Sequence, residues 1–226
     1  MPATFSQKNI QLKDVSLFED LSASELDCLK LNLIERSFKA GEMISFSGEE
    51  CDGVLIIRSG VIKTSCVSYS GKEQILDCLK AGETCACHPG SGQWKCPSNL
   101  QAGTDCQIWF ITRRDYEKLL ADNPKIIQKL SKIFSLRLNS YSKLIKTIAS
   151  DNSQSRLARF ILDMTDYECN IAYLESLTHE VIANRINLTR ETVTRYLNQF
   201  KRQNLIEVKL HKISILNRAE LEAICL

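Results

Sequence analysis

Several things are scarce in this 226-residue chain. It has no run of about 18 apolar residues, so no transmembrane helix is expected. Its first fifteen residues, MPATFSQKNIQLKDV, lack the charged start and apolar core of a secretory signal. The expected compartment is therefore the cytoplasm. Histidine is limited to His88, His179 and His211, and only His88 falls in a β-rich region. Metal-dependent barrel enzymes use several histidines and a carboxylate, so an enzyme is not expected. No nucleophile–base constellation stands out, and no catalytic residue is assigned. The net charge is only +2, so any polyanion would have to be met by local rather than global charge.

What the chain does have is cysteine, ten in all. Structural disulfides are rare in the cytosol, so clustered cysteines there point to metal, cluster or redox chemistry before covalent staples. Hydrophobic content of 44% and charge of 25% are ordinary for a folded protein. The length allows one large or two small cores.

Taken in order, Val15 to Leu33 reads as helical, with Ser22 as N-cap and Glu25 completing a capping box. Leu26, Leu29 and Leu33 make its buried stripe, and Cys28 beside them reads as a small core residue. From Glu35 to Phe110 short β-rich runs alternate with glycines, and Ser70-Gly71-Lys72 forms a hairpin turn between Ile62–Val67 and Gln74–Leu79. Short strands with regular turns favour an antiparallel jelly roll. A short helical turn at Asp115–Leu120 precedes a helix from Pro124 to about Ser150. Its Ile127, Leu130, Phe134, Leu138, Tyr141, Ile145 and Ile148 recur at steps of three and four, which suits a two-stranded coiled coil and hence a homodimer, the alternative being packing against its own domain. The other face is basic: Lys125, Lys129, Lys132, Arg137, Lys143 and Lys146. Asp151-Asn152-Ser153 breaks the helix and starts another over Gln154–Thr165, with Leu157, Phe160, Ile161 and Met164 inward. The connection DYECNIAYLES follows, and Asn217–Ile224 reads as a last short helix.

The most informative stretch is THEVIANRINLTRETVTRYLNQFKRQNL, from Thr178 to Leu205. Val181, Ile182 and Ile186 share one helix face. Asn187-Leu188 is a tight turn, and Asn enters left-handed backbone cheaply. Thr189 sits where an N-cap belongs. Val193, Tyr196, Leu197 and Phe200 then turn inward, leaving Arg190, Glu191, Thr192 and Arg195 on the other face. Arg can bond guanine bidentately and Glu can accept from cytosine. This is the helix-turn-helix layout with the second helix as reader. Ile206, Val208 and Leu210, a break at His211-Lys212, then Ile213 and Ile215 read as a wing. From Arg185 to Lys212 basic residues outnumber acidic ones.

A β-barrel, a long helix and a C-terminal winged helix-turn-helix resemble the CRP/FNR family of bacterial transcription regulators. Thr189-Arg190-Glu191-Thr192-Val193-Thr194-Arg195 is similar to the segment opening that family's recognition helix. The resemblance implies an α+β architecture: a cyclic-nucleotide-binding-like sensor barrel over 1–123, a dimerisation helix over 124–150 and a winged helix-turn-helix over 151–226. It implies that Arg190, Glu191 and Arg195 read base edges in a TGTGA-like half-site, with Thr189 and Thr192 on phosphates. The implied partners are a palindromic DNA operator, a second copy of the chain and RNA polymerase. Cyclic-nucleotide-binding members carry a Gly-Glu-Leu segment and an Arg-Ser pair for the cyclic phosphate. Here Gly82-Glu83 is followed by Thr84-Cys85-Ala86-Cys87, and Cys96-Pro97-Ser98 stands where the Arg-Ser pair belongs. No arginine occurs between Arg58 and Arg113. A cyclic nucleotide is therefore not the expected cofactor.

Cys85, Cys87, Cys96 and Cys106 lie in that same region, with His88 beside Cys87. They are the candidate metal ligands: four thiolates suit zinc or an iron–sulfur cluster. Oxygen-sensing family members hold a cluster on an N-terminal cysteine group, which the first fifteen residues here lack. A redox-switched disulfide, a haem site using His88 or a cysteine, and incidental core cysteines remain open alternatives. So does a cyclic nucleotide or other small molecule in the barrel. Cys51, Cys66 and Cys78 on other strands could join or replace Cys106, while Cys169 and Cys225 read as bystanders.

Overall fold

Glycine punctuation and short apolar runs between Glu35 and Thr112 become two antiparallel four-stranded sheets. The structure is a computed structural model and describes residues 10–85, 94–150, 152–166, 178–209 and 212–225. The strands are β1 Ile34–Phe38, β2 Met43–Ser45, β3 Gly53–Ser59, β4 Val61–Val67, β5 Glu73–Lys80, β6 Thr84–Cys85, β7 Asn99–Ala102 and β8 Cys106–Thr112. One sheet runs β1-β8-β3-β6 and the other β2-β7-β4-β5, the two-sheet arrangement expected of a jelly roll. Gly71 takes φ +81 in the turn between β4 and β5, as the hairpin reading requires.

The central pair β3 and β8 shows why these strands are apolar almost throughout. Val54, Ile56, Trp109 and Ile111 enter one buried cluster. Their neighbours Leu55, Ile57, Ile108 and Phe110 enter another. Side chains alternate across a strand, so a sheet covered on both faces needs apolar residues at every step. Gly53 on β3 lies so close to the Ile111 carbonyl that any side chain there would overlap it.

The N-terminal expectation is met only in part. Helix α1 spans Ala23–Leu31, and Ser22 and Glu25 form the expected capping box. The Ser22 amide donates to Glu25 Oε2 at 2.7 Å. Upstream, the chain makes two 3-10 turns, Leu12–Asp14 and Ser16–Phe18, in place of a continuous helix. Leu29 is buried, but Leu26 and Leu33 are only partly so. Cys28 is exposed and is not a core residue. It precedes Leu29, and one step turns about 100° around a helix, away from the covered face.

Helix α2 spans Arg113–Asp122 and α3 spans Pro124–Ala149. Leu130 does not belong to an outward stripe: it is buried with Ile126 against the barrel-side cluster. What stays exposed is Ile127, Leu138 and Ile145, with relative exposures of 51%, 66% and 65%. The basic face is also less free than its composition suggests. Lys129 Nζ pairs with Glu19 and Asp20 at 2.9 and 2.8 Å. Arg137 donates to the Thr84 carbonyl at 3.1 Å.

The chain forms two compact units, Met1–Cys66 with Asp77–Arg137, and Val67–Leu76 with Leu138–Leu226. The boundary thus falls within α3, and the hairpin tip is grouped with the C-terminal part. The second unit contains α4 Ser153–Asp166, α5 His179–Ile186, α6 Arg190–Arg202, β9 Ile206–Lys209, β10 Lys212–Ile215 and α7 Arg218–Ala223. Asn152 Oδ1 accepts from the Gln154 and Ser155 amides, so the expected helix break is capped. Leu157, Phe160 and Ile161 are buried as expected, in one core with Ile182, Val193, Leu197 and Phe200. Most of the connection DYECNIAYLES lies outside the described residues.

Candidate nucleic-acid interface and cysteine-rich site

Each end of the helix-turn-helix is fixed by a local side chain. Thr178 caps α5, its hydroxyl accepting from the Val181 amide at 3.2 Å. Asn187 ends α5 at φ 55°, ψ 45°, the left-handed position expected for the turn. The Leu188 amide returns to the Ala183 carbonyl at 3.0 Å. Thr189 caps α6, accepting from the Thr192 amide at 3.2 Å. Its hydroxyl also lies 3.0 Å from the Thr192 hydroxyl.

These caps aim the helix. Val193, Leu197 and Phe200 are buried, Tyr196 is half-buried, and Arg190, Glu191 and Arg195 are exposed. The Arg195 guanidinium sits 4.9 Å over the Tyr196 ring, an ordering contact for a long side chain. The helix start thus presents two guanidinium groups, one carboxylate and free-pointing amide dipoles, a surface suited to bases and phosphates. The wing pairs Ile206 with Ile215, Val208 with Ile213 and Lys209 with Lys212.

Two features were missed by sequence reasoning. His179 Nδ1 lies 2.7 Å from Thr194 Oγ1, and the Thr194 hydroxyl donates to the Arg190 carbonyl at 2.9 Å. This chain of bonds ties the start of α5 to the first turn of α6. The second feature is the segment Val67–Leu76 within the same unit. Lys72 Nζ donates to Asn187 Oδ1 at 2.6 Å, and Gln74 Nε2 donates to the Arg185 carbonyl at 2.7 Å. The Arg185 guanidinium donates to the Ile75 and Leu76 carbonyls. No local pattern announces bonds between segments so distant in sequence.

The cysteines are distributed differently from the expected set. Cys96 is buried in the cluster that contains Trp94 and Trp109, and Cys51 packs against it. The Cys51 amide donates to the Trp94 carbonyl at 2.7 Å, and the Cys96 amide to the Glu49 carbonyl at 2.9 Å. Burial pushes the Cys85 thiol up to about 12, and Cys51 and Cys96 lie near enough to add to that rise, while Arg137 opposes it. Cys51 and Cys96 are thus neighbours on one side of the β3–β8 sheet, whereas Cys85 packs against the core cluster on the other side, with Leu55 and Phe110. Cys106 is on the same side of the sheet as Cys85 but not level with it. Cys85 is level with Leu55, and Leu55 with Phe110, so Cys106 is four residues further along β8, or about 13 Å. It sits in the same core cluster that Cys85 packs against, where burial raises its pKa to about 11 with Asp105 and Glu42 adding. Cys87 and His88 lie outside the described residues. Among the described residues no group of three or more His, Cys, Asp or Glu is arranged to hold a metal ion. The described donors alone therefore do not fit zinc or an iron–sulfur cluster.

Two families match the two parts. Residues 155–224 match the Crp-like helix-turn-helix domain, and residues 35–123 match the cyclic nucleotide-binding domain. The chain is 31% identical over 211 residues to Electron transport regulator A of Shewanella oneidensis, covering 89% of this chain and 82% of that protein. The chain belongs to the CRP/FNR family. A further family relative is the fumarate and nitrate reduction regulatory protein of Vibrio cholerae, 29% identical over 208 residues, covering 89% of this chain and 82% of that one. Among solved structures, a crp/fnr-family transcriptional regulator from Eubacterium rectale superposes with a TM-score of 0.68 at 26% identity, over 94% of this chain and 99% of that one. A CooA mutant from Carboxydothermus hydrogenoformans shares the fold, with a TM-score of 0.78 at 21% identity over 96% and 99% of the two chains. As a CRP/FNR-family member the chain is a DNA-binding transcription regulator. No described helix is long and apolar enough to cross a membrane.

The match to the cyclic nucleotide-binding domain does not restore the arginine missing between Arg58 and Arg113. Gly82 and Glu83, the part of the motif that is present, make a closed turn. The Lys80 amide donates to Glu83 Oε2 at 2.9 Å, and the Glu83 amide to the Lys80 carbonyl at 2.9 Å. Burial raises the Glu83 pKa and outweighs that backbone hydrogen bond.

Proposed function

We propose that this regulator acts in the cytoplasm as a homodimer on a palindromic operator, with Arg190, Glu191 and Arg195 reading base edges and Thr189 and Thr192 positioned at phosphates. The observation that carries the reading is the capped N-terminal half of α6, where three charged groups are exposed on a helix whose opposite face is buried. Two-fold symmetry in the protein then matches two-fold symmetry in the DNA. RNA polymerase is the partner such a regulator would engage.

The dimer reading rests on α3. Ile127, Phe134, Tyr141 and Ile148 recur every seven residues, and Leu138 and Ile145 fall four residues after Phe134 and Tyr141. That is a heptad seam, and Leu138 and Ile145 are two-thirds exposed on it. Replacing both by Asp is expected to convert a dimer into monomers in sedimentation and to abolish tight binding to a palindrome. A dimer that survives the double change would remove α3 as its seam.

The signal is read as thiol chemistry at the cysteine-rich part of the barrel, with Cys51 beside Cys96 and Cys85 against the facing core cluster. The half-buried Cys85 thiol, pushed up to about 12, is protonated at neutral pH and reacts only once it is deprotonated. Oxidation with diamide is expected to change operator affinity by at least tenfold, about 1.4 kcal/mol, in the wild type. The same treatment should leave a Cys51→Ser, Cys85→Ser variant unchanged. Equal responses in both would place the signal elsewhere, and saturable binding of a cyclic nucleotide to the barrel would favour the small-ligand alternative.

A further inference from the structure

The second unit contains a cleft that the DNA-reading surface does not use. Its volume is about 410 Å³, and its walls come from the end of α3, the start of α4 and Cys225. Lys143 and Lys146 on α3 and Arg156 and Arg159 on α4 line it, with Asp163 the one lining carboxylate among the described residues. Each basic pair is spaced i, i+3, which puts both members on one helix face. Two such pairs facing one cleft make a strongly positive concavity. Lys146, Arg156 and Arg159 form no ion pair among the described residues.

Arg156 is already held in place. Its Nε donates to the Ser150 carbonyl at 2.5 Å and a terminal nitrogen to the Asn187 carbonyl at 3.4 Å. A guanidinium fixed on carbonyls gives up little further conformational entropy when an oxyanion meets it. Ser150 and Ser155 also line the cleft. The space exceeds that of a bare ion and falls in the ordinary range of small-ligand pockets, about 300–1,000 Å³.

We propose that this cleft binds a phosphate ester, with Lys143, Lys146, Arg156 and Arg159 around its oxygens. Such a phosphate has two sources, a free phosphorylated small molecule or the backbone of DNA, and one pair of measurements separates them. The variant is Lys146→Ala with Arg159→Ala, both exposed positions whose replacement leaves the core intact. In the first arm inorganic phosphate is titrated without DNA and followed by phosphorus NMR. In the second, the salt dependence of binding to a random duplex is compared between wild type and variant. A free ligand predicts saturable phosphate binding that weakens at least tenfold in the variant. A backbone site predicts that the slope of log K against log salt falls by roughly 0.9 for each DNA phosphate the variant no longer neutralises. Either result supports the site and names its source. The double variant matching wild type in both arms would overturn it. Lys146→Arg, which keeps the charge, should retain binding in whichever arm responds, and its failure to do so would count against a charge-based site. The DNA arm alone rests on the proposed reading function.

Discussion

The helix-turn-helix and the cysteine-rich corner of the barrel are organised by interactions of opposite range. In the first, Thr178, Asn187 and Thr189 each act within four residues of their own position. In the second, Cys51 and Cys96 come together because the chain around Glu49–Cys51 pairs with Trp94–Cys96, and Cys85 is set beside Leu55 by the pairing of β3 with β6. The difference separates a surface that can be read from a motif from a site that needs the register of a sheet.

The sharpest way to break this contrast is through the core under the reader. Phe200 is fully buried in the cluster that carries α4, α5 and α6. Phe200→Ala is expected to cost about 3–5 kcal/mol of stability, measured by denaturant unfolding. Because the caps are local, α6 should keep its orientation in whatever fraction remains folded. A smaller test addresses the cap itself. Thr189→Ala removes the acceptor for the Thr192 amide and should cost about 1 kcal/mol in stability, while Thr189→Ser should cost much less. If Ala and Ser behave alike, the cap is not what fixes the start of α6.

The same distinction explains what was legible in the sequence. The Ser22–Glu25 capping box, the Gly71 hairpin, the left-handed Asn187 and the wing alternation were all visible, because each is decided by neighbouring residues. The two-sheet barrel was also visible, since strand alternation and glycine turns carry it. Cys28 was misplaced because a helical stripe does not say how wide the covering surface is. Leu130 was assigned to the outward stripe although the barrel-side core covers it, because both seams share steps of three and four. The basic face of α3 looked free because Glu19, Asp20 and the Thr84 carbonyl are distant in sequence. Cys51 was noticed only as a substitute, and Cys106 was grouped with Cys85 and Cys96 by closeness along the chain. A strand carries its residues about 3.3 Å apart, so closeness in sequence alone does not define a site.

The long-range bonding from Val67–Leu76 to α5 is the limiting case. Lys72, Gln74 and Arg185 each look like ordinary surface polar residues in sequence. Lys72 and Gln74 nevertheless bond to the turn and backbone of the helix pair, and Arg185 bonds back to the strand. Their chemistry was readable, but their partners were not.

The most direct measurement is operator affinity by fluorescence anisotropy at one fixed salt concentration, comparing wild type with Arg190→Ala. The duplex should be the palindrome that the wild type itself selects from a randomised pool. The expected result is a weakening by about 1–3 kcal/mol, with discrimination relaxed at one base pair in each half-site. Wild-type affinity and unchanged discrimination in the folded variant would contradict the assignment of Arg190 as a base reader.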